Sequence, residues 1–343
     1  MRPAFRARAI VAAIAPLLAG VVIAAPAQPA ASVTPVPQPA PSVTSAPCRA
    51  LLSATFLQPS YKIFSWSRAR YDAELADMSN AGIKTVILQW SVDMDANQAY
   101  YPAPSGWYPR AANMVGTLLP AAAAKGMSVW LGLGNVYSWQ AHAGDRNWLA
   151  NQLYVDERIA DQLWALYANR FAGWYISNEV DDVLLSNPTT ASNIAWFFSS
   201  LTAYLHTHAG NRTVMTSPTY SGLHQSTTQF AASSRTVLGS VDVLNVQDGG
   251  GAGYIGASDI TNWFTALHTA FAGTNVSLWQ DADMYAVTGG PMSPTQLQSN
   301  LRATCGMVSA RAGFSFSTQM GPRDIGTSTY YNAYVSYRTK TLS

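Results

Sequence analysis

Between Leu51 and Tyr337, short apolar runs alternate with longer helical patterns eight times, and no other feature narrows the fold as far. The expected strands are Leu51–Gln58, Lys84–Trp90, Ser128–Gly132, Gly173–Ser177, Thr213–Ser217, Val241–Val246, Val276–Gln280 and Gly313–Ser317. Helices are expected near Tyr71–Asn80, Ala111–Lys125, Asp145–Arg170, Ala191–His208, Thr227–Val237 and Asp259–Phe271, then from Ser293-Pro294, and last over Tyr330–Tyr337. Gly82 stands where a helix C-cap belongs. Pro294 takes a first helical position, where its missing N–H costs nothing. Strands alternating with helices imply parallel pairing through right-handed crossovers. Eight such units predict an α/β fold, a single (β/α)8 TIM barrel over residues 48–343. An open doubly wound sheet would want a Gly-rich phosphate turn after its first strand, and Pro59-Ser60-Tyr61-Lys62 stands there instead. The Gly249-Gly250-Gly251 run after strand six reads as a flexible rim loop.

Composition removes several classes of function. The formal net charge is +2, only 11% of residues are charged, and no Lys/Arg cluster of the kind nucleic acid requires is present. Arg2, Arg6 and Arg8 precede an apolar run from Ala9 to Ala25, and Ala25-Pro26-Ala27 supplies small residues for cleavage. Residues 1–27 are therefore expected to be a signal peptide, with the mature chain starting near Gln28, secreted and free of a membrane anchor. Residues 28–47 form a Pro/Ala/Ser/Val tract without periodicity, expected to be an extended linker. The two cysteines, Cys48 and Cys305, suit one disulfide in an oxidising compartment. Neither belongs to a Cys/His spacing that suits structural zinc.

The stretch Gly173-Trp174-Tyr175-Ile176-Ser177-Asn178-Glu179 is an apolar, aromatic run that ends in an Asn-Glu pair. A buried barrel strand looks like this when it delivers a carboxylic acid to the open C-terminal rim, where such barrels place their chemistry. The other expected strand ends supply Gln58, then Gln89, Trp90 and Asp93, then Asn135, Tyr137 and Trp139. They continue with Tyr220, Gln247 and Asp248, Trp279, Asp281 and Asp283, and finally Gln319. Amides and carboxylates bind vicinal hydroxyls with paired hydrogen bonds, while indole and phenol faces cover the apolar face of a pyranose. A carbohydrate is the expected partner, and no cofactor is called for. Trp174 reads as core, whereas Trp107, Tyr108 and Trp139 sit in Gly/Pro/Ser-rich loops that favour ligand stacking.

Cleaving a glycosidic bond takes two carboxyl groups, one to protonate the leaving oxygen and one to attack the anomeric carbon or activate water. Glu179 on strand four and Asp283 or Asp281 on strand seven meet this requirement across the barrel mouth. Asn178, Gln58, Gln89, Trp90, Asn135, Tyr137, Trp139, Tyr220, Gln247, Asp248, Trp279 and Gln319 are the expected substrate-binding set.

The chain resembles the large group of glycoside hydrolases that carry an Asn-Glu acid/base at the end of strand four and a carboxylate nucleophile at the end of strand seven. More closely, Ala54-Thr55-Phe56-Leu57-Gln58, Gly82-Ile83, Leu88-Gln89-Trp90, Gly173 through Glu179, and Val246-Gln247-Asp248-Gly249 resemble a bacterial family of glycosidase-like barrels catalogued as a domain of unknown function. That resemblance spans nearly all of Leu51–Ser317 and implies a role connected with polysaccharide. One departure stands out. Strand seven usually offers Glu, and here it offers Asp281 and Asp283, of which Asp283 fits the place better. Asp is one methylene shorter, so retention and the more widely spaced inverting arrangement both stay open.

Two further readings compete. A barrel that only holds glycan would carry the same aromatics without a workable carboxylate pair. A metal-assisted hydrolase would use Asp93, Asp248 and Asp281, but a site of hard oxygens without rim histidines favours weak Mg²⁺ or Ca²⁺ binding.

Overall fold

In the computed structural model, residues 48–60, 62–253 and 257–342 are described. The segments read as signal peptide (1–27) and linker (28–47) lie outside them. Eight parallel strands close into a barrel in chain order. They are β1 (Ala54–Leu57), β2 (Thr85–Leu88), β3 (Ser128–Gly132), β4 (Gly173–Ile176), β5 (Thr213–Thr216), β6 (Val243–Gln247), β7 (Ser277–Asp283) and β8 (Ala310–Phe314). The helices that surround them are α1 (Arg68–Asn80), α2 (Met114–Ala123), α3 (Arg146–Tyr167), α4 (Pro188–His208), α5 (Thr227–Leu238), α6 (Ala257–Phe271), α7 (Pro294–Ala303) and α8 (Thr329–Leu342). The chain is therefore a (β/α)8 TIM barrel.

Local sequence starts the helices where polar caps stand. Ser67 accepts from the backbone N–H of Arg70, and Asp145 accepts from those of Asn147 and Trp148. Ser226 and Gln229 complete a capping box at the start of α5. Each cap satisfies a backbone donor that the first helical turn leaves without a partner. Gly82 ends the α1 unit at φ +90°, and a Cβ there would meet the Arg338 side chain at 2.4 Å.

Alternate strand residues point into the barrel. Ala54, Phe56, Ile87, Trp130, Tyr175, Met215, Val243 and Ala312 form one interior cluster, with Trp279 and Phe314 packed against it. Trp130 meets Trp279 at 5.8 Å between ring centroids, while Phe56 meets Tyr175 at 5.2 Å and Phe314 at 5.6 Å. These rings fill the barrel and form the floor on which its mouth rests. The larger apolar cluster lies between sheet and helices. Around the mouth, Val92–Asp93, Gln98–Ala99 and Gly134–Asn135 add a three-stranded sheet that extends the rim beyond β2 and β3.

Strands seven and eight depart from the sequence expectation. Strand seven runs to Asp283 rather than Gln280, and strand eight occupies Ala310–Phe314 rather than Gly313–Ser317. The pattern Gly313-Phe314-Ser315-Phe316-Ser317 alternates like a strand, but the chain leaves the sheet at Ser315 and forms a short helix over Phe316–Gln319. The peptide bond between Phe314 and Ser315 is cis.

Cys48 and Cys305 are bonded, with their Cα atoms 5.6 Å apart, and join positions 257 residues apart in sequence. Next to the bridge, the Tyr337 hydroxyl on α8 donates to the Ala50 carbonyl, and Tyr334 accepts from the Leu52 N–H. The last helix thus clamps the entry to the first strand. Among the described residues, no helix is long and apolar enough to cross a membrane.

A disulfide closing so long a loop stabilises chiefly by restricting the unfolded chain. Replacing both cysteines by Ser is expected to lower the unfolding free energy by about 2–4 kcal/mol. Urea titration should show a lower midpoint and a steeper slope, because the unfolded chain without its cross-link exposes more surface. An unchanged midpoint would mean that the bridge contributes nothing to stability.

Candidate active site

The barrel carries the C-terminal ends of β4 and β7 to one rim, and two adjoining clefts open there. The inner cleft, about 230 Å³, is lined by Phe56, Gln89, Tyr175, Glu179, Gln247, Asp281, Asp283, Tyr285 and Phe314. The outer cleft, about 240 Å³, is lined by Gln58, Trp90, Asn135, Val136, Tyr137, Trp139, Gln140 and Ser177, and shares Gln89, Glu179 and Phe314 with the inner one. Glu179 therefore stands on the wall between them. Among the described residues, no Lys, Arg or His lines either cleft.

Strand β7 supplies the inner carboxyls by its alternation. Trp279, Asp281 and Asp283 point inward at successive heights, whereas Gln280 points out and donates to Asp248 (3.0 Å) and to the Asn300 carbonyl (3.2 Å). Asp283 is 2% exposed. Its Oδ2 accepts from the backbone N–H groups of Gly251 (2.9 Å) and Ala252 (3.1 Å). Burial raises its pKa to about 6, against hydrogen bonds from those two amides and from the Tyr285 hydroxyl. Asp281, also 2% exposed, contacts Ser217 Oγ through Oδ2 at 2.7 Å. Burial, joined by the charges of Asp283, Asp248 and Glu179, holds its pKa well above the usual carboxylate range.

Glu179 follows Asn178 directly after β4. Burial of its carboxyl, with the nearby charges of Asp283 and Asp181, raises the pKa to about 7, against a hydrogen bond from Gln247. The loop behind it is pinned by buried Asp182, which accepts from the backbone N–H of Ser221 (2.7 Å) and of His224 (2.9 Å). On the β3 side, buried Asp156 accepts from the Gly134 N–H (2.9 Å) and fixes the strand that carries Asn135. Asp95 accepts from the Tyr137 N–H at 2.6 Å, and Tyr137 stands 64% exposed at the lip, edge-on to Trp90.

The structure thus brings Glu179, Asp281, Asp283, Gln247, Gln89, Gln58, Trp90, Asn135, Tyr137 and Trp139 to the paired clefts. It places five expected residues elsewhere. Asp248 is fully buried behind β7, accepting from Gln280 and Gly250, because Gln247 points inward and its neighbour must point out. Its pKa rises to about 8 through burial and the charge of Asp283. Tyr220 packs between Phe230 and Trp263 and donates its hydroxyl to the Gln225 carbonyl. Trp279 lies a layer below the cleft against Trp130. Gln319 lines a separate small apolar cavity with Met284, Met320 and Tyr334, a result of the earlier end of β8. Asn178 is 3% exposed beside Glu179 and does not line either cleft.

Of the aromatics expected to stack on ligand, Trp107 and Tyr108 pack edge-on at 5.4 Å against each other and against the core. Trp174 is buried, as a core residue should be, with its indole N–H donated to the Ala209 carbonyl. Asp93, Asp248 and Asp281 do not converge, and among the described residues no group of three His, Cys, Asp or Glu is arranged to hold a metal ion. Sequence reasoning missed Phe56, Tyr175, Tyr285, Phe314 and Ser217. Phe56 and Tyr175 were discoverable, because strand alternation places them on the interior face.

The Gly249-Gly250-Gly251 run, expected to be a flexible loop, is a constrained one. A Cβ at Gly251 would meet the Tyr285 carbonyl at 2.4 Å and Asp283 Cβ at 2.7 Å. Only glycine lets this backbone approach closely enough to donate to the carboxylate. Gly251→Ala is therefore expected to destabilise the protein by about 1–3 kcal/mol through overpacking. Urea unfolding would measure the change, and parent-like stability would show that the loop yields freely.

The sequence pattern of one protein family, described as "Domain of unknown function (DUF4434)", matches residues 52–326. No curated protein matches the chain. Solved structures with a similar fold include a putative alpha-L-fucosidase from Bacteroides thetaiotaomicron, at a TM-score of 0.70 and 20% identity, covering 90% of this chain and 99% of that one. An endo-1,4-beta-D-mannanase from Thermotoga petrophila superposes at 0.56 with 11% identity, covering 84% and 99%. An endo-1,4-beta-mannanase from Rhizomucor miehei superposes at 0.54 with 12% identity, covering 84% and 95%. At these identities the likeness establishes the (β/α)8 barrel fold alone. With four-fifths of its length matched by the one family pattern, the chain belongs to the DUF4434 family.

Proposed function

We propose that the protein is a secreted glycoside hydrolase that cleaves a polysaccharide or oligosaccharide with two carboxyl groups. The observation that carries this reading is the contrast between Glu179 and Asp283, which face one cleft from opposing strands. Asp283 receives two backbone N–H groups and a tyrosine hydroxyl, donors that stabilise an anion. Glu179 sits in a buried setting among like charges, which stabilises its protonated form. One group is thereby prepared to give a proton and the other to supply an electron pair.

In the proposed reaction, a sugar occupies the inner cleft over Phe56, Tyr175 and Phe314. The remainder of the glycan extends past Glu179 toward Trp90, Trp139 and Tyr137. Glu179 protonates the glycosidic oxygen as the bond to the anomeric carbon breaks. Asp283 either attacks that carbon or takes a proton from an attacking water, and Glu179 is restored in turn. Gln89 offers its side-chain amide to sugar hydroxyls, and Gln247, whose amide nitrogen donates to the Ser217 carbonyl and to Glu179, offers its carbonyl oxygen. Support for export comes from the leader-like N-terminus and the Cys48–Cys305 bond.

A panel of bacterial and plant polysaccharides, incubated with the protein and analysed for released products, tests the proposal. Glu179→Gln is expected to lower turnover at least about 100-fold, the contribution of a general acid, while keeping glycan affinity. Undiminished hydrolysis would remove Glu179 from its role. Binding without hydrolysis by parent and variant alike would favour a glycan-binding barrel. Activity requires Asp283 ionised and Glu179 protonated, so kcat/KM should rise with pH through about 6 and fall through about 7. These limbs belong to the pair as a whole. A profile flat from pH 5 to 8 would contradict the pairing.

A further inference from the structure

Asp281 is a third carboxyl in the inner cleft, and the hydrogens available around it decide its form. Ser217 Oγ lies 2.5 Å from the Asn245 carbonyl oxygen and 2.7 Å from Asp281 Oδ2. A backbone carbonyl can only accept, and so can an ionised carboxylate. Ser217 has one hydroxyl hydrogen, which cannot serve both contacts. The carbonyl cannot bring its own proton, but a carboxylic acid can. The arrangement is satisfied when Ser217 donates to Asn245 and Asp281 donates its proton to Ser217. The Asn245 side-chain amide nitrogen, 3.3 Å away, and the Tyr175 hydroxyl also contact the Ser217 hydroxyl; both can donate to it, so neither relieves the shortage of a hydrogen between Ser217 and its two acceptors.

The surroundings agree with a neutral group. Tyr175 on β4 and Glu179 just after it face Asp281, Asp283 and Tyr285 neighbour it along its own strand and the residues after it, and Asp248 adds its charge from behind β7. None of these can bring positive charge. The second oxygen, Oδ1, is buried without a partner in a residue that lines the inner cleft.

We propose that Asp281 is a neutral carboxylic acid, locked through Ser217, whose free Oδ1 accepts a hydrogen bond from a hydroxyl of the molecule bound in the inner cleft. It is a positioning residue and not an alternative nucleophile. That the bound molecule is a sugar rests on the function proposed above, while the protonation state does not.

The test follows unfolding of the parent, Asp281→Asn and Asp281→Ala from pH 4 to pH 8. An acid protonated in the fold and ionised in the unfolded chain makes the fold hold one more proton. Parent stability then falls as pH rises above the unfolded value of about 3.9. Neither variant has this proton to lose. Relative to the parent, the folding constant of each should grow about tenfold per pH unit until the folded-state pKa is passed. The slope is the readout, so an offset from a cavity in the Ala variant does not matter. A ratio that stays constant or shrinks with rising pH would show an ionised Asp281 and overturn the proposal. Failure of both variants to fold would overturn it as well, since an amide can replace a neutral acid.

A second arm uses whichever glycan from the panel the parent hydrolyses. Asp281→Ala should raise KM about tenfold or more with a smaller change in kcat, and Asp281→Asn should recover the KM. A roughly thousandfold fall in kcat for both variants would identify a nucleophile instead. If the panel yields no substrate, the proposed hydrolase activity fails while the unfolding arm still decides the state of Asp281.

Discussion

Carboxyl groups crowd the mouth of this barrel without one basic side chain among the described lining residues, and everything else at the rim answers to that constraint. Glu179, Asp281 and Asp283 face the inner cleft, with Asp248 directly behind β7. Four anions at such proximity in a partly dry setting would repel strongly, so the group must hold protons or be solvated by fixed dipoles. The protein uses both devices. Asp283 is surrounded by N–H donors from a glycine turn, and burial favours protons on the others. The result is a set of carboxyls of like chemistry and unequal proton affinity, the condition that acid–base catalysis requires.

Much of this was legible in the sequence because strands and helices impose different periods. The eightfold alternation fixed the barrel, and the abrupt Asn178-Glu179 ending of an apolar run located the strand-four rim. What could not be read came from register and from loops. Strand eight looked three residues later than it is, because Ser315 and Ser317 continue a polar alternation after the chain has left the sheet. That error carried Gln319 to the rim and left Phe314 unnoticed. Asp248 was a different kind of miss, since Gln247 points inward and alternation already required its neighbour to point away. Tyr220 and Trp107 lie in loops, where no period relates sequence to direction, and tertiary packing decides.

The supports of the site lie far from it in sequence. Asp156 on α3 holds the strand that bears Asn135, and Asp182 ties the loop after β4 to the one after β5. Each is a buried acceptor, Asp182 of two backbone N–H groups and Asp156 of one together with the Gln152 amide, which ties down two rim loops without adding side chains to the cleft. On the first strand, Tyr334 and Tyr337 anchor the entry through Leu52 and Ala50. Closure of the barrel and precision at its mouth thus depend on polar contacts spread over the whole chain.

In the proposed reaction Glu179 stays protonated near neutrality while Asp283 does not. The chain has only three glutamates, Glu74, Glu157 and Glu179. Labelling glutamate with carbon-13 at the side-chain carboxyl therefore gives three resonances, and Glu179→Gln identifies one of them. Followed by NMR across pH 4 to pH 9, the Glu179 signal is expected to titrate near pH 7 and to move to lower pH when Asp283 is replaced by Asn. Titration near the ordinary value of about 4.3, with no response to Asp283, would contradict a protonated Glu179.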